Sequence, residues 1–405
     1  MKFDVFFSIC QTPVDDYMPT ERVMFENFFD QVQLADELGY GVAWVAETHL
    51  SCQIQKQNPG AVIPHFEGEI GLNTDILQLA HLIFERTKRI HVGSAIRNIL
   101  CNGGPLAHAE AIKTFLTLHD LRPRESRLLQ LGFAAGRFPF SNTPYGIRPR
   151  NNVEQAAWPA LKGKILLHAI EVFSRCLKNE IFDSTELDPI LLRRADFRAD
   201  ADWEKVGAAR GQAANEILIE PFWTFDKVGV IPFEAPLKYL RLILGSADAG
   251  AQAQANRWLP CQVFNLSITP AQEIEATHQR MQQIYHQDGG PWRRDLMPRT
   301  TLVFIDNSKG GETAQFERAR VKAQAAMTTY WKALEGTLDQ RRIDNAVDNA
   351  LVGGPQRIIT MMRERFHPDD RLMLWFDFFN HDNQAVRQSM QDFMRHVAPP
   401  LNAKP

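Results

Sequence analysis

Short apolar runs along the chain alternate with longer segments in which apolar residues recur every three or four positions. The run "KFDVFFS" predicts a strand, because it is short and rich in aromatic and β-branched residues. The segment "ERVMFENFFDQVQLADELGY" follows, and one helical face of it is apolar: Phe25, Phe28, Phe29, Val32 and Ala35. The run "GVAWVAE" predicts a second strand. The chain therefore begins with a strand, a helix and a strand.

The same alternation continues through the next two units. The segment "NTDILQLAHLIFERTKR" predicts a helix with one apolar stripe: Ile76, Leu79, Ala80 and Ile83. Asn73 or Thr74 is its expected N-cap. Strand "IHVGSAI" follows, and helix "PLAHAEAIKTFLTLHD" begins with Pro105, which is tolerated in a first helical turn. Strand "RLLQLGF" completes the series.

Four later runs predict further strands: "EILIEPF", "LRLILGS", "QVFNLS" and "RLMLWFDFF". Several are continuously apolar, which is typical of parallel strands buried on both faces. Strand–helix units of this kind predict an α/β fold, a (β/α)8 TIM barrel forming one domain over residues 1–405. An open doubly wound sheet is disfavoured, because no early G-x-G-x-x-G turn is present. Residues 138–215 after strand 4, and 290–350 between strands 7 and 8, are expected as excursions; the second contains the strand-like "TTLVFID".

Composition narrows the class of protein. With 405 residues and 44% hydrophobic content, the chain can bury a large core. The net charge of -3 and the lack of a long basic run argue against a nucleic-acid partner. No apolar stretch approaches the roughly 18 residues of a membrane span. The 5 cysteines are scattered without a CxxC pair, which favours a reducing compartment. We therefore expect a cytoplasmic protein with no membrane partner.

Polar residues follow several predicted strands at the point where each strand ends. They are Glu47, Thr48 and His49 after strand 2; Ser94, Arg97 and Asn98 after strand 3; Ala135, Gly136 and Arg137 after strand 4; and Gly245 and Ser246 after "LRLIL". In a barrel the carboxyl ends of the strands share one face, where the active sites of this fold are built. A polar strand end is also typical of a solvated loop. These residues are therefore expected to form a site only if the chain folds as a barrel. The histidines show neither HxH nor HExxH spacing, so a metal site is not expected.

The segment "LILGSADAGAQAQANRW" predicts a strand, a tight turn and an alanine-rich helix. The first amides of such a helix point outward and can bind an anion. Gly245 would let a phosphate approach the backbone, and the Ser246 hydroxyl would add a hydrogen bond. Asp248 in the first turn would oppose the phosphate unless it faces away. A plain capped helix is the alternative.

The ordered set of motifs resembles the bacterial luciferase-like flavin monooxygenases over nearly the whole chain. It comprises "WVAETH", "IHVGSAI", "PLAHAEAIKTFLTLHDL", "LGFAAG", "LILGSADAG", "VFNLSITPAQEIE", "LVGGPQRIITMM" and "RLMLWFDFFNHDNQAVRQSMQDFMRHVAPPL". The resemblance implies a barrel that binds reduced FMN, supplied by a separate flavin reductase, and uses dioxygen to oxygenate a small organic substrate. It implies a homodimer as well.

The resemblance also implies roles for particular residues. Ser246 and the amides after it, beginning with Ala247, match the phosphate-binding turn. Ala95 and Ile96 match the place where the backbone lies against the flavin ring, in some members through a non-proline cis peptide. Gly136 follows strand 4 beside the same expected pocket.

Three departures from luciferase itself change the expected chemistry. The luciferase triplet Glu-His-His is Glu47, Thr48 and His49 here. Thr48 cannot act as a base near neutral pH, so light emission by the luciferase route is doubtful. His49 keeps an acid or base role, or else serves only as a buried hydrogen-bonding residue. Ala135 stands where luciferase has a phosphate-binding arginine, which makes Arg137 the substitute candidate. Ala249 replaces a second hydroxyl there.

Several interpretations stay open from the sequence. Residues 51–73 are long for a strand-to-helix connection and are expected to shape the substrate pocket. Cys52 and Cys101 are expected to be inert, and Trp44 and Trp375 to be core residues. The alternatives to a monooxygenase are a deazaflavin-dependent dehydrogenase of the same fold and a flavin-binding protein without turnover. A metal-dependent hydrolase is disfavoured, because strand 1 ends in "FFSICQ" without a histidine pair.

Overall fold

A curled sheet of parallel strands forms the centre of the protein. The computed structural model describes residues 1–402 except 59–64, 66, 137, 138, 213, 336 and 337. The strands in this part of the chain are β1 (Lys2–Phe7), β2 (Val42–Val45), β3 (His91–Asn98), β4 (Leu129–Ala134), β5 (Ile190–Arg193), β6 (Glu216–Ile219), β7 (Leu240–Leu244), β8 (Cys261–Val263), β9 (Arg299–Ile305), β10 (Leu351–Gly353) and β11 (Arg371–Trp375). Nine of them form the sheet in the order β10-β9-β11-β1-β2-β3-β4-β7-β8.

Helices follow most strands and cover the outer face of this sheet. They are α1 (Glu21–Leu38), α2 (Ile76–Arg86), α3 (Gly104–Asp120), α4 (Pro139–Asn142), α5 (Asn152–Leu177), α6 (Asp200–Arg210), α7 (Ala249–Trp258), α8 (Ala271–Ile284), α9 (Gly311–Glu335), α10 (Gln340–Asn349), α11 (Pro355–Arg365), α12 (Asn383–Asp392) and α13 (Ala398–Asn402). The prediction of an α/β fold with a parallel sheet is confirmed.

The sheet curls far enough for its edge strand β8 to approach β9, the second strand from the other edge. Asn265, just after β8, forms a parallel bridge with Arg299 at the start of β9. The amide of Asn265 donates to the Pro298 carbonyl at 2.9 Å, and the amide of Thr300 donates to the Asn265 carbonyl at 3.1 Å. The curl brings the carboxyl ends of distant strands to one face, as a barrel requires. The number of eight strand–helix units stays a prediction.

Two predicted strands have a different place from the one expected. "TTLVFID" was expected in an excursion, but it is β9, which pairs with both β11 and β10 in the main sheet. "EILIEPF" was expected in the main sheet, but it contains β6, which pairs antiparallel with β5 in a separate two-stranded sheet. The reason is visible in β6, where exposed and buried positions alternate and Leu218 is 64% exposed. A strand with one solvated face does not fit a sheet covered on both sides.

The helix ends follow local capping rules. The side chain of Thr20 accepts the Val23 amide at the start of α1, and Gly39 ends that helix with φ of 87°. At α2 the predicted N-cap, Asn73 or Thr74, is wrong, because Asp75 accepts the Leu77 amide at 2.9 Å. Pro105 lies in the first turn of α3, as predicted.

The concave face of the sheet carries its own apolar group, which we call the inner cluster. Its buried members are Phe6, Val42, Trp44, Ile243, Phe264 and Met373, with Ala46, Ala95, Ile96 and Trp375 packed against them. These residues come from six strands or their ends, so the cluster fills the space inside the curl. Trp44 is fully buried, and its Nε1 donates to Asp4 Oδ2 at 2.8 Å. Both tryptophans are therefore packed as the sequence predicted. Among the described residues, no helix is both long and apolar enough to cross a bilayer.

Candidate active site

Glu47 is the centre of a buried polar group at the end of β2. Its Oε2 accepts the amide of Ile76, the first residue of α2, at 3.1 Å. Its Oε1 lies 3.1 Å from Arg97 Nη1 and 3.2 Å from His49 Nε2. The Glu47 side chain has no exposed surface. A carboxylate is favoured here because a helix N-terminus and a guanidinium both face it. These three contacts use most of its acceptor capacity, so Glu47 is placed to orient its neighbours.

Arg97 connects this carboxylate to α3. Its Nε donates to His108 Nδ1 at 2.9 Å, while His108 Nε2 donates to the Cys101 carbonyl at 3.0 Å. Both ring nitrogens of His108 are thereby assigned, and the ring is neutral. Burial, reinforced by the Arg97 charge, lowers the pKa of His108 to about 3. Arg97 also lies 3.5 Å from Asp75 Oδ1, the N-cap carboxylate of α2. The two helices and the two strand ends are thus joined through one guanidinium.

His49 is held against Glu47 and is 7% exposed. A carboxylate can only accept, so the contact at 3.2 Å assigns the hydrogen to Nε2. The lone pair of Nδ1 is then the basic site of the ring. This is the tautomer control that a carboxylate gives a histidine base. The predicted proximity of Glu47 and His49 is therefore present in the structure.

Thr48 does not share this arrangement. Its hydroxyl lies 2.8 Å from Ser51 Oγ and donates to the Gly71 carbonyl at 3.3 Å. Its amide donates to the Asn73 carbonyl, and Asn73 Nδ2 donates to the Ala46 carbonyl at 2.9 Å. Thr48 therefore ties together the two ends of the 48–73 connection, in which residues 59–64 and 66 lie outside the described part.

The end of β3 faces the inner cluster. Ala95 and Ile96 are joined by a cis peptide bond, the feature that the resemblance implies at this place. The pairing of β3 with β4 shifts register between Ser94 and Arg97. Ala95 and Ile96 pack against the inner cluster, which gives the mouth of the curl an apolar wall. Ser94 is fully buried, and its Oγ has no hydrogen-bond partner among the described residues.

Gly245, at the end of β7, meets the same wall. A Cβ added at Gly245 would lie 2.3 Å from Ile96 Cδ1 and 3.4 Å from the Ala134 methyl group. Only a residue without a Cβ therefore leaves room for the Ile96 side chain at this position. From the sequence, Gly245 was expected to let a phosphate approach the backbone. In the structure, its close contact is with the Ile96 side chain.

Gly136 follows β4 with φ of 72°, a left-handed conformation that favours glycine. A Cβ there would lie 2.2 Å from Asn98 Nδ2. That amide donates to Asn142 Oδ1 at 2.5 Å, and Asn142 Nδ2 donates to the Ala135 carbonyl at 3.0 Å. Asn98 and Asn142 therefore fix the turn after β4. Arg137, the predicted phosphate ligand, lies outside the described residues.

Ser246 and Asp248 form the turn before α7. The Asp248 amide donates to Ser246 Oγ at 3.2 Å, so the Ser246 hydroxyl hydrogen can point to a ligand. Asp248 is the N-cap of α7, and its Oδ1 accepts the Ala251 amide at 2.7 Å. The Asp248 carboxylate thus already accepts a hydrogen bond from one of the amides expected to bind phosphate. Ala247 is exposed between them. The side-chain cap expected of the alternative, a plain capped helix, is therefore present at α7, and Ser246 lies just before it.

Cys101 fits the inert role predicted for it. It is fully buried, and burial raises the pKa of its thiol to about 12. Within the described residues, no three histidine, cysteine, aspartate or glutamate side chains are grouped as a metal site would require.

Three residues of the site were missed from the sequence. His108 lies in the middle of α3, where a lone histidine carries no motif, and Asp75 was hidden by the neighbouring capping candidates. Asp377, after β11, was read as part of a strand. A polar residue at the end of the last apolar run is the signal that could have identified it, as it did for Glu47.

The sequence of this region matches a known family. Residues 1–156 match the model of the luciferase-like monooxygenases. This match confirms the resemblance indicated by the order of motifs, and it covers β1 to β4 with the polar group around Glu47. No curated protein matches the chain.

Solved structures share the fold over the whole chain. Monooxygenase RslO1 from Streptomyces bottropensis superposes with a TM-score of 0.65 at 16% identity, covering 99% of each chain. The oxygenating constituent of 3,6-diketocamphane monooxygenase of Pseudomonas putida, in complex with FMN, gives 0.60 at 13% identity over 98% of each chain. An F420-dependent secondary alcohol dehydrogenase with an F420-acetone adduct gives 0.57 at 12% identity over 100% of each chain. At these identities the likeness establishes the fold, and members of this fold include monooxygenases and other oxidoreductases.

Proposed function

We propose that the protein is a flavin-dependent monooxygenase that uses reduced FMN and dioxygen to oxygenate a small organic substrate. The observation that carries this proposal is the apolar wall of Ala46, Ala95 and Ile96 at the mouth of the curl. It lies in the segment that matches the luciferase-like monooxygenases. An apolar wall suits a flavin ring, and a dry pocket protects oxygen chemistry from water.

The described residues fit the ring of a flavin better than its phosphate. Ala95 and Ile96 would lie against the ring, with Ser94 directly before them in β3 and Gly136 just after β4. Ser246, through its hydroxyl, and Ala247, through its amide, would hold the phosphate, while the Asp248 carboxylate opposes it. When bound, the reduced flavin supplies the two electrons of the reaction. Arg137 is the cation proposed to offset Asp248.

His49 is the proposed acid–base residue of this site, and Glu47 is its positioning residue. Glu47 holds Nε2 and leaves Nδ1 to accept a proton from the substrate or return it. Arg97 keeps Glu47 in place from the opposite side. Thr48 was included among the catalytic candidates, and its contacts favour the role of a loop anchor.

A deazaflavin-dependent oxidoreductase is the second candidate. The specific observation in its favour is the superposition of the F420-dependent dehydrogenase over the full length of both chains. Both coenzymes present a flat ring and a phosphate, so the apolar wall suits either. A flavin-binding protein without turnover is the third, favoured by Thr48, which stands in place of a luciferase histidine and bonds to Ser51 and Gly71.

The experiment that separates these candidates uses the reaction with air. The purified protein is loaded anaerobically with reduced FMN, or with reduced coenzyme F420, and mixed with aerated buffer while oxygen uptake is recorded. A monooxygenase consumes oxygen with bound reduced FMN and transfers an oxygen atom when its substrate is added. Binding of F420 with no oxygen uptake supports the dehydrogenase. Tight FMN binding with no effect of any added organic substrate supports the binding protein. A flavin reductase as electron source and a homodimer as the assembly belong to the same proposal.

A further inference from the structure

Asp377 is a half-buried residue just after the last strand, and its carboxyl atom Oδ1 is shielded from solvent. In the parallel pairing of β1 with β11, Phe6 lies opposite Trp375, so Ser8 and Asp377 follow at the next equivalent positions. The amide and the hydroxyl of Ser8 both donate to Asp377 Oδ2, each at 3.1 Å. Asp377 is thereby fixed at the carboxyl end of the sheet, where the proposed flavin site lies.

No basic side chain in the described part of the chain forms an ion pair with Asp377. Its Oδ1 is shielded from solvent and receives no well-formed hydrogen bond from the described residues. Burial raises the pKa of Asp377 to about 6, although the two hydrogen bonds from Ser8 act to lower it. Elsewhere in the protein, Glu47 shows how a buried carboxylate is normally stabilised, with a guanidinium and a helix amide.

Asp377 lies between two spaces. On one side is the inner cluster, where the rings of Phe6 and Trp375 are 4.4 Å apart. Ser8 and Asp377 each come two residues after one of these rings, just past the last paired positions of β1 and β11. On the other side is a cavity of about 20 Å3, lined by Ser8, Asp377, Asn27 and Gln31 together with Cys10, His381 and their neighbours. This volume is enough for one water molecule.

The other groups that face this cavity do not supply a fixed charge. Asn27 and Gln31 on α1 and Asn380 after β11 are neutral amides. His381 donates from Nε2 to the Thr12 carbonyl at 2.5 Å, and burial lowers its pKa, which favours the uncharged ring. The Cys10 sulfur lies 2.9 Å from the Thr12 hydroxyl. A proton on Asp377 can therefore pass to or from a water molecule without crossing a charged group.

We propose that Asp377 is a second acid–base residue of the mouth, the group that delivers protons from solvent to the oxygen reaction. This inference rests on the proposed function. Without substrate, the anionic form of reduced FMN (FMNH−), dioxygen and one proton would give oxidised FMN and hydrogen peroxide, so the balance requires one proton besides the hydrogen carried by the reduced flavin. The O–H bond of Asp377 breaks as an O–H bond forms on the oxygen being reduced. The carboxylate then takes a proton from the cavity water, which is renewed from solvent.

The first test needs no flavin. The full-length protein is labelled with 13C at its aspartate carboxyl carbons, and the Asp377 signal is assigned as the one lost in Asp377→Asn. We expect this carboxyl to titrate near pH 6, as burial dictates, and at higher pH in Ser8→Ala, which removes one donor to the carboxylate. Titration in the ordinary aspartate range, or no change in Ser8→Ala, overturns the proposal.

The second test follows the oxidation of bound reduced FMN in air as a function of pH. The rate should fall as pH rises through the pKa of Asp377, because the protonated form delivers the proton. The fall should move to higher pH in Ser8→Ala and disappear in Asp377→Asn. Asp369→Asn, which changes an exposed carboxyl, is the matched control and should leave the profile unchanged. An Asp377 that titrates near pH 6 with a Ser8→Ala rate profile identical to wild type contradicts the catalytic role.

The two tests separate the inference from the function on which it rests. If the protein binds neither FMN nor F420, the proposed function and the catalytic role of Asp377 both fail. The carboxyl titration still decides whether Asp377 is protonated. If flavin binds and reacts while Asp377 titrates as an ordinary aspartate, the proposed function stands and this inference alone is wrong.

Discussion

Glu47 and Arg97 form a buried ion pair in which Oε1 lies 3.1 Å from Nη1, with side chains that are 0% and 3% exposed. The pair joins the end of β2 to the end of β3, the two strand ends that carry His49 and the wall of Ala95 and Ile96. Removing one member of such a pair leaves the other charge buried without a partner. The geometry of the proposed site and the stability of the fold therefore depend on the same contact.

Arg97→Met should lower the free energy of unfolding by about 3–5 kcal/mol, because Glu47 loses its counter-charge in a buried position. Urea denaturation followed by circular dichroism measures this change. The double variant Glu47→Gln/Arg97→Met should recover part of the loss, because no uncompensated charge remains. A double variant no more stable than Arg97→Met would mean that the pair is not an electrostatic unit.

His49→Ala should reduce turnover by about a hundredfold or more while the affinity for reduced FMN changes little, because an acid–base group is lost and no flavin contact is. The comparison requires turnover rates and anaerobic binding constants for the same preparation. Thr48→Val is the matched control: it removes a hydroxyl that bonds to Ser51 and Gly71, so stability should fall while chemistry is kept. Equal turnover of His49→Ala and wild type would reduce His49 to a structural residue.

Ser246→Ala should weaken binding of reduced FMN by about tenfold to a hundredfold, since a hydrogen bond to a charged group contributes about 1.5–3 kcal/mol. Asp248→Asn should have the opposite effect. Asparagine preserves the helix cap on the Ala251 amide and removes the negative charge that opposes a phosphate. Fluorescence titration under nitrogen gives both constants. If neither variant alters the dissociation constant, the phosphate does not bind at this turn.

Gly245→Ala should weaken flavin binding, because the new Cβ would lie 2.3 Å from Ile96 Cδ1 and push that side chain out of the apolar wall. The double variant Gly245→Ala/Ile96→Val removes the clashing methyl group and should restore much of the affinity. Oxidised FMN is a convenient probe for this series. An unaffected Gly245→Ala protein would show that the position of Ile96 does not matter to the ligand.

The stability of the protein should fall as the pH is lowered below about 6.5, because His108 is neutral in the fold. Its pKa is about 3 when folded, so the unfolded chain takes up the proton first. This contribution is fully present above the ordinary histidine pKa and is lost towards pH 3. His168, whose pKa burial lowers to about 4, adds to the trend. Urea midpoints of wild type and His108→Gln across this range should show a shallower dependence in the variant. If the urea midpoints of wild type and variant change equally with pH, protonation of His108 does not cause the loss of stability.

The elements that the sequence predicted well are those in which local pattern and tertiary position agree. Helix α1 has a strong apolar face and a Thr20 cap, and β1 to β4 are short apolar runs separated by such helices. The pattern failed for β6 and β9, whose composition does not show which sheet they join. Membership in a sheet is decided by pairing partners distant in sequence, and single-sequence periodicity carries no such information.

The candidate site was likewise predicted from the sequence only in part. The grouping of Glu47 with His49 was predicted, because both end one strand. The proximity of Glu47 to Arg97 was predicted too, because the carboxyl ends of neighbouring strands share one face. The link from Arg97 to His108 was not, because a lone histidine within α3 carries no motif. Gly245 was expected to give a phosphate access to the backbone, but the contact that requires a glycine there is the one with Ile96. Contacts between side chains from different strands appear only when the sheet is closed in three dimensions.

The most direct test of the account is an anaerobic titration of the purified protein with reduced FMN, with reduced coenzyme F420 in parallel. The account predicts saturable binding of reduced FMN, weakened by Ser246→Ala and by Gly245→Ala and little changed by His49→Ala. Binding of F420 alone would contradict the proposed cofactor and support the dehydrogenase. Failure of both coenzymes to bind would contradict the central claim that the apolar mouth of this sheet is a flavin site.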